Sequence, residues 1–317
     1  MFDETKQMNS MKPAENNAPA ENDEFNKKLR RSRAEKIAGK VGVYAFLIIY
    51  AILILLPFLI VLLTSIKSAA AVQKNTFEII PSDGFTFDAY KVVFTYHPIR
   101  SEHFPLLIRG FFNTILYVVP PTVIGLFTSA LSAYAFSKLR FRAKKWMYSI
   151  MLGTMMIPGT IMMVSQYSLY DSIGWTETPL PLMIPGMFGA AACVFFMRQF
   201  FTGIPDSIIE AAKLDGLGFL GTFFRIMVPL SMPALLAQGI LGFVGGYNDY
   251  LGPLIYIHDA NMKTLQIALR TLVSERGGDE PNVTMAASIV ALLPTLIIYF
   301  FAQKYFIEGI VTSGLKQ

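Results

Sequence analysis

Among the residues able to do chemistry, the densest grouping is Glu210-Ala211-Ala212-Lys213-Leu214-Asp215-Gly216, followed by Phe223, Ile226 and Pro229. Two acids on a short helix-forming run can accept hydrogen bonds or pair with a cation on another surface. Recognition is therefore the chemistry they offer. Pro205 suits a first helical turn, and Ser207 and Glu210 stand at capping-box spacing, in which each side chain satisfies the other's backbone donor. Gly216 and Gly218 permit the left-handed residue that commonly ends a helix, so the spacing predicts a helix of about three turns from Pro205 to Asp215. Ala211 and Ala212 leave little bulk on one face, where a partner's backbone can approach, with Asp215 at the rim. The same residues also fit an interfacial helix lying on lipid headgroups, and spacing alone leaves both readings open.

The elements that position this run come from composition. With 53% hydrophobic residues and only 15% charged among 317, and a mean hydropathy of +0.47, the chain lies outside the range of soluble domains. A bilayer core about 30 Å thick needs roughly 20 apolar residues in helix. Six stretches qualify: 41–63, 111–136, 146–166, 181–197, 226–247 and 283–303. The expected fold class is an all-α integral membrane protein with six transmembrane helices and a short cytoplasmic helix in the 203–225 loop. None of the six stretches contains Asp, Glu, Lys, Arg or His, which removes the catalytic constellation a membrane-embedded enzyme requires. A stand-alone secondary transporter of a small polar solute is the rival. It typically needs intramembrane ionisable or unwound coordinating groups, and the spans offer none of the former.

Other candidate groups are sparse. Cys193, the single cysteine, lies inside the fourth span and reads as packing. His97, His103 and His258 are too scattered for a metal site, so no metal is expected. Tyr247, Asn248 and Tyr250, near the outer end of the fifth span, are candidates for sugar contact, although tyrosines there are also ordinary interfacial residues. Pro158, Pro185, Pro229, Pro233 and Pro294 each remove a helix hydrogen bond and mark candidate kinks.

Lysine and arginine asymmetry sets the orientation. The 137–145 loop carries Lys138, Arg140, Arg142, Lys144 and Lys145 without an acid, whereas the 167–180 loop carries Asp171 and Glu177 without a base. The first is expected inside and the second outside. Residues 1–40 read as a basic cytoplasmic tail, unstructured to about residue 26, residues 41–306 as the membrane domain, and 307–317 as a cytoplasmic C-terminal tail. The first apolar run begins too late and is too long for a cleaved signal. Segments 64–110 and 248–282 are external and offer docking surface. The pI near 9.1 follows from this topology and from lipid contact, and does not argue for nucleic acid.

Glu210-Ala211-Ala212-x-x-Asp215-Gly216, with Phe223, Ile226 and Pro229, resembles the "EAA" loop of binding-protein-dependent ABC transporter permeases. Similarity runs from Phe87 onward, in particular to the MalG-like carbohydrate-uptake permeases. It includes Asn113-Thr114, the run Leu131 to Phe136, Met156-Ile157-Pro158, Arg198 to Phe201, Asn248-Asp249, Pro253-Leu254 and the tail from Gly309 to Lys316. Leu217 stands where the family usually has alanine, and Gly246-Tyr247 replaces a pair more often ending in tryptophan. The resemblance implies the type I importer permease fold in a bacterial cell membrane, with both termini cytoplasmic. It also implies a second homologous permease, two ATP-binding subunits and an extracytoplasmic solute-binding protein as partners. The chain itself would be no enzyme and would hold no cofactor, ATP being bound by its partners, as the absence of a phosphate-binding loop motif agrees. Glu210 would then fix the coupling loop by capping or ion pairing, Gly216 would turn the chain out of it, and Ala211 and Ala212 would pack closely.

Overall fold

The spine of the membrane domain is one long helix spanning Leu106–Lys138, against which the helices of the fourth and fifth spans and the helix Leu265–Arg276 pack. It and its neighbours are seen in a computed structural model that describes residues 19–74, 81, 83–98 and 104–314. His103 and the first eighteen residues of the tail lie outside the described residues. Among those described, all regular structure is helical: α1 (Pro19–Ser65), α2 (Ala69–Lys74), α3 (Asp88–Thr95), α4 (Leu106–Lys138), α5 (Lys144–Thr154), α6 (Gly159–Ser172), α7 (Leu180–Met187), α8 (Ala191–Thr202), α9 (Asp206–Leu214), α10 (Phe219–Thr222), α11 (Met232–Tyr247), α12 (Leu251–Tyr256), α13 (Leu265–Arg276) and α14 (Pro281–Gly314). Short 3-10 and π turns and the three-residue helical turn Val228–Leu230 complete the set.

Four described segments are long and apolar enough to cross a membrane, and the count reaches six when each of two bent helix pairs is taken as one span. The chain divides at Ile60 into two units. In the first, every side chain from Gly39 to Ile60 is exposed, as befits a helix apolar on all sides that meets lipid or protein rather than water. This helix starts at Pro19, so residues 19–26, expected to be unstructured, are helical. Once the apolar stretch has nucleated a helix, each added residue costs only propagation, and the Lys and Arg of residues 27–40, with Ala20, Glu21 and Glu24 before them, are good helix formers.

Three spans expected as single helices are broken. The third bends by 96° between α5 and α6. Met155, Met156 and Ile157 there donate to carbonyls three residues back, at 3.1–3.2 Å, a tightening that closes the helix before Pro158, whose ring disfavours helical backbone at Ile157. The fourth breaks between α7 and α8 at Gly189, which sits at φ +88°. The fifth bends by 81° at Ser231. Within lipid such freed backbone groups need partners, and α4 supplies them at the fourth-span break. Thr128 donates to the Met187 carbonyl at 2.9 Å, and the Ser129 hydroxyl accepts the Ala190 N–H at 3.1 Å. A Cβ on Gly125 would lie 2.2 Å from the Gly186 carbonyl oxygen, so this approach of helix to broken helix requires glycine. Pro294, by contrast, lies inside the unbroken α14, which continues as helix to Gly314 through most of the expected tail.

Two buried clusters flank this crossing. One gathers Val93, Leu107 and Leu272 from the segments expected outside with Tyr247 and Val283 from the ends of the fifth and sixth spans. The other gathers Tyr134, Met197, Phe201, Ile209, Phe223 and Met227 beside the loop that carries the acidic motif.

Candidate functional site

α9 begins directly after Pro205, which adopts φ −58° and ψ 137° as N-cap without a side-chain cap bond. The expected Ser207–Glu210 capping box is absent. Ser207 already lies inside the first turn, because Pro205 has no N–H to satisfy and its fixed φ sets the helix start two residues earlier. Asp206 takes the acidic first-turn position and Lys213 the basic last turn, each complementing the helix dipole. The Lys138 ammonium at the end of α4 reaches Asp206 at 2.6 Å and the Ile204 carbonyl at 2.5 Å, with its own side chain only 6% exposed. That ammonium holds the Asp206 carboxyl below the usual carboxylate range, through its hydrogen bond first and its charge second. The entry to α9 is thereby fastened to the spine.

The motif residues divide by face. Ile209 and Ala212, three positions apart, are buried, Ile209 in one cluster with Phe201 and Phe223. Ala211 points the other way, so the two alanines do not form one small-residue face. Glu210, Ala211, Lys213, Leu214 and Asp215 are exposed, Leu214 at 89%. Among the described residues nothing bonds to Glu210, so within this chain it neither caps nor pairs. An almost fully bared leucine beside an unpaired carboxylate is a surface shaped for contact.

Gly216 ends the helix as anticipated. It adopts φ +82°, its N–H donates to the Lys213 carbonyl at 3.0 Å, and the Leu217 N–H donates to the Ala212 carbonyl at 2.9 Å. These two bonds are the Schellman pair. A Cβ at Gly216 would meet nothing within 4 Å, so dihedral angle rather than space demands glycine. Beyond it, Phe219 and Phe223 stack on Tyr134 of α4, with ring centroids 4.8 and 5.6 Å away. Ile226 lies in a π turn, Phe223–Met227, and the exposed Pro229 in the helical turn after it. Pro229 cannot donate to a helical carbonyl, and a widened turn is a common accommodation in membrane helices. Ser231 closes the exit by donating to the Met227 carbonyl at 2.6 Å.

The same end of the bundle carries Arg198, which donates to the Phe136 carbonyl at 3.1 Å and lies 4.2 Å from the Tyr148 ring centroid. Loops expected outside meet one another elsewhere. Glu177 bonds His258 through both the backbone N–H, at 3.0 Å, and the imidazole, while Asn113, near the start of α4, donates to the Asn261 and Lys263 carbonyls of one such loop.

A cavity of about 450 Å³ opens between α4, α6, α7 and the segment after α11, and a second of about 280 Å³ shares Pro121 and Thr122 with it and reaches Gln238 and Cys193. The three residues anticipated for sugar contact do not line either one. Tyr247 is buried, donates to the Ala291 carbonyl at 2.8 Å and stacks on Phe243. Asn248 turns back to the Val244 carbonyl at 2.9 Å. Tyr250 lines a separate surface hollow with Lys263 and Arg270. The neighbour Asp249 does line the larger cavity. Between the aromatic and amide candidates, it is the single carboxylate of that stretch and the rarer group. In the sequence Lys138 reads only as one of the basic residues that orient the loop, and Asp206, Thr128 and Ser129 carry no local motif; hydroxyls on one span opposite a Pro-x-x-x-Gly break on another are the signal that finds the last two.

Membrane-spanning helices, a carboxylate-bearing helix exposed between two spans, and a cavity among the helices define a membrane component of a transport system rather than an enzyme. Comparison with known proteins identifies the family. Residues 110–311 match the family described as binding-protein-dependent transport system inner membrane component, and the chain belongs to it. The arabinooligosaccharides transport system permease protein AraQ of Bacillus subtilis (strain 168) is 30% identical over 278 residues, covering 87% of this chain and 96% of that one. The sn-glycerol-3-phosphate transport system permease protein UgpE of Yersinia enterocolitica is 34% identical over 209 residues, 64% of this chain and 72% of that one. A crystal structure of a bacterial ABC transporter involved in the import of the acidic polysaccharide alginate contains a chain that superposes with a TM-score of 0.72 at 26% identity, over 86% of this chain and 98% of that one. The fold expectation of an ABC importer permease is met, and the secondary-transporter rival loses its ground.

Proposed function

We propose that this chain is a pore-forming subunit of an ATP-driven importer that carries a sugar or oligosaccharide delivered by an extracytoplasmic binding protein. It works with a second homologous permease and two ATP-binding subunits. The observation that carries the reading is α9: a helix held to the bundle by Lys138, Ile209, Ala212 and the Tyr134 aromatic stack, yet presenting Glu210 and an 89% exposed Leu214 outward. A helix so anchored moves with α4 and α8, so closure of an ATPase cleft around its outer face reaches the spans as a rigid-body displacement. ATP is bound and hydrolysed on those partners, and this chain takes no cofactor. Glu210, Ala211, Leu214 and Asp215 supply the contact surface, Gly216 sets its exit, and Ile226 and Pro229 shape the bend into the fifth span.

The carbohydrate cargo is supported by the arabinooligosaccharide and alginate systems to which the chain is similar. The lysine- and arginine-rich 137–145 loop touches α9's start through Lys138, which agrees with both lying in the cytoplasm. Six spans in a bacterial cell membrane then return both termini there.

The test is purification of the tagged chain in mild detergent, with mass spectrometry of what accompanies it, for wild type and Gly216→Trp. We expect an ATPase subunit and a second permease with wild type, and loss or uncoupling of the ATPase in the variant. Wild type that purifies without any ATPase, under conditions preserving known membrane complexes, overturns the reading.

A further inference from the structure

The end of α4 is closed from outside the helix. The last carbonyls of a helix lack partners within it, and no glycine follows Lys138 to supply a local stop. Leu139 instead adopts extended backbone, its N–H reaching the Ala135 carbonyl at 3.2 Å. The carbonyls beyond are taken by cations from two other elements. Phe136 accepts from Arg198 of α8 at 3.1 Å, and Ser137 and Leu139 accept from the Lys144 ammonium at the start of α5 at 3.1 and 2.8 Å. Lys138 reaches the other way, to Ile204 and Asp206 at the entry to α9. Arg198 also lies over the Tyr148 ring of α5, which packs on Phe136 with ring centroids 5.5 Å apart. The negative end of the α4 dipole favours a cation there, but three gathered at one helix end repel one another. One cation near a helix end suffices to cap it; three, each from a different element, tie α4, α5, α8 and α9 at one point. Those elements run on to the cavities. α4 brings Tyr117 and Pro121 to the larger one, Met163 and Gln166 of α6, beyond the third-span bend, line it too, and α8 brings Cys193 to the second.

Resting on the importer reading, we propose that Lys144 and Arg198 are positioning residues for transport, which with Lys138 make the end of α4 a joint locking the third and fourth spans to α9. The third span is thereby carried with the docking helix, although no residue of its own belongs to the 203–225 loop. Neither Lys144 nor Arg198 lines either cavity, and each acts through the α4 carbonyls it holds.

The test is pulsed electron spin resonance on the complete detergent-purified complex. Cys193→Ser removes the single cysteine, and spin labels are placed on Ser207→Cys of α9 and Ile150→Cys of α5, both exposed positions. Distances are taken without nucleotide and with ADP and vanadate. We expect the pair in the otherwise native chain to hold its separation within about 2 Å between the two states, the size of a packed helix shift, whereas Arg198→Met with Lys144→Met lets it change by more than about 4 Å. Arg198→Lys, whose ammonium still reaches the Phe136 carbonyl, should behave as the native residue does. Asp206→Ala, at a side chain 77% exposed, removes one Lys138 contact without threatening the fold and should also make the separation respond to nucleotide. A merely structural role predicts a lowered melt and broader distances in both states, with no added dependence on nucleotide. That result overturns the proposal, as does a native pair that moves by more than about 4 Å or a double variant that stays within about 2 Å. If the double variant does not assemble, Asp206→Ala decides, and a separation unmoved by nucleotide overturns the proposal. Each of these failures leaves the ATPase bound and the importer reading intact, whereas wild type that lacks the ATPase sinks that reading first.

Discussion

Leu214 allows the docking argument to be tested without disturbing the fold. The side chain is 89% exposed, so it contributes almost nothing to the stability of this chain, and whatever it stabilises must lie on a partner. Leu214→Ala removes three carbons at about 0.8 kcal/mol each, or roughly 2 kcal/mol once scaled to the exposed fraction available for burial. Since about 1.4 kcal/mol is a factor of ten, docking should weaken about 30-fold. The assay is a titration of the purified ATPase subunit against the detergent-solubilised permease pair, wild type and variant, with a thermal melt of each pair alone. We expect the affinity to fall by that order and the melt to be unchanged. An affinity within threefold of wild type would show that Leu214 meets lipid or water, and α9 would then be an interfacial helix. A melt lowered in step with the affinity would mean that the leucine supports the bundle.

Gly216 should rank substitutions by backbone preference rather than by size, because space is free but φ is +82°. Gly216→Asn should retain most transport, whereas Gly216→Val should cost about 1–2 kcal/mol of local strain and uncouple ATP turnover from uptake. Gly125→Ala should lower the melting temperature through overpacking of about 1–3 kcal/mol, since its new carbon meets the Gly186 carbonyl; an unchanged melt refutes the close approach of α4 to the fourth-span break. The carboxyl of Glu177 is held below its usual range, chiefly by the His258 backbone N–H. A depressed folded-state value means that the contact is fully stabilising above the ordinary carboxylate pKa of ~4.3 and is lost as pH falls through the lower folded value. Hydrogen exchange at the His258 amide should therefore be slow at neutral pH and speed up, relative to intrinsic rates, only below about pH 4. Glu177→Gln should remove that pH dependence while keeping an acceptor.

The uninterrupted helices were legible in the sequence because an apolar run without charge has one solution in lipid, as at α4 and α14. The Gly216 stop was legible for a similar reason, since few residues tolerate left-handed backbone. What stayed hidden depended on contacts between distant residues. The start of α9 is set by Pro205 and by Lys138, 68 positions from Asp206, and the local Ser207–Glu210 spacing could not reveal that. Tyr247 sits where a sugar contact was expected, but α14 offers it the Ala291 carbonyl, and a buried phenol takes the partner that burial provides.

The broken spans carry the same lesson into mechanism. Proline alone does not bend these helices: Pro120, Pro121 and Pro294 lie inside continuous ones, while the fourth span breaks at Gly189, where α4 presents Thr128 and Ser129 to the freed backbone groups. The break thus belongs to the interface between two helices rather than to either sequence. Because α4 also carries Lys138 and Tyr134, which hold the entry and exit of α9, one rigid helix contacts the docking helix at one end, the fourth-span break in its middle and, through Tyr117, the larger cavity beyond. On the importer reading proposed above, a displacement of α9 would reach the cavity wall through one continuous helix, as coupling an ATPase to a transport pathway requires.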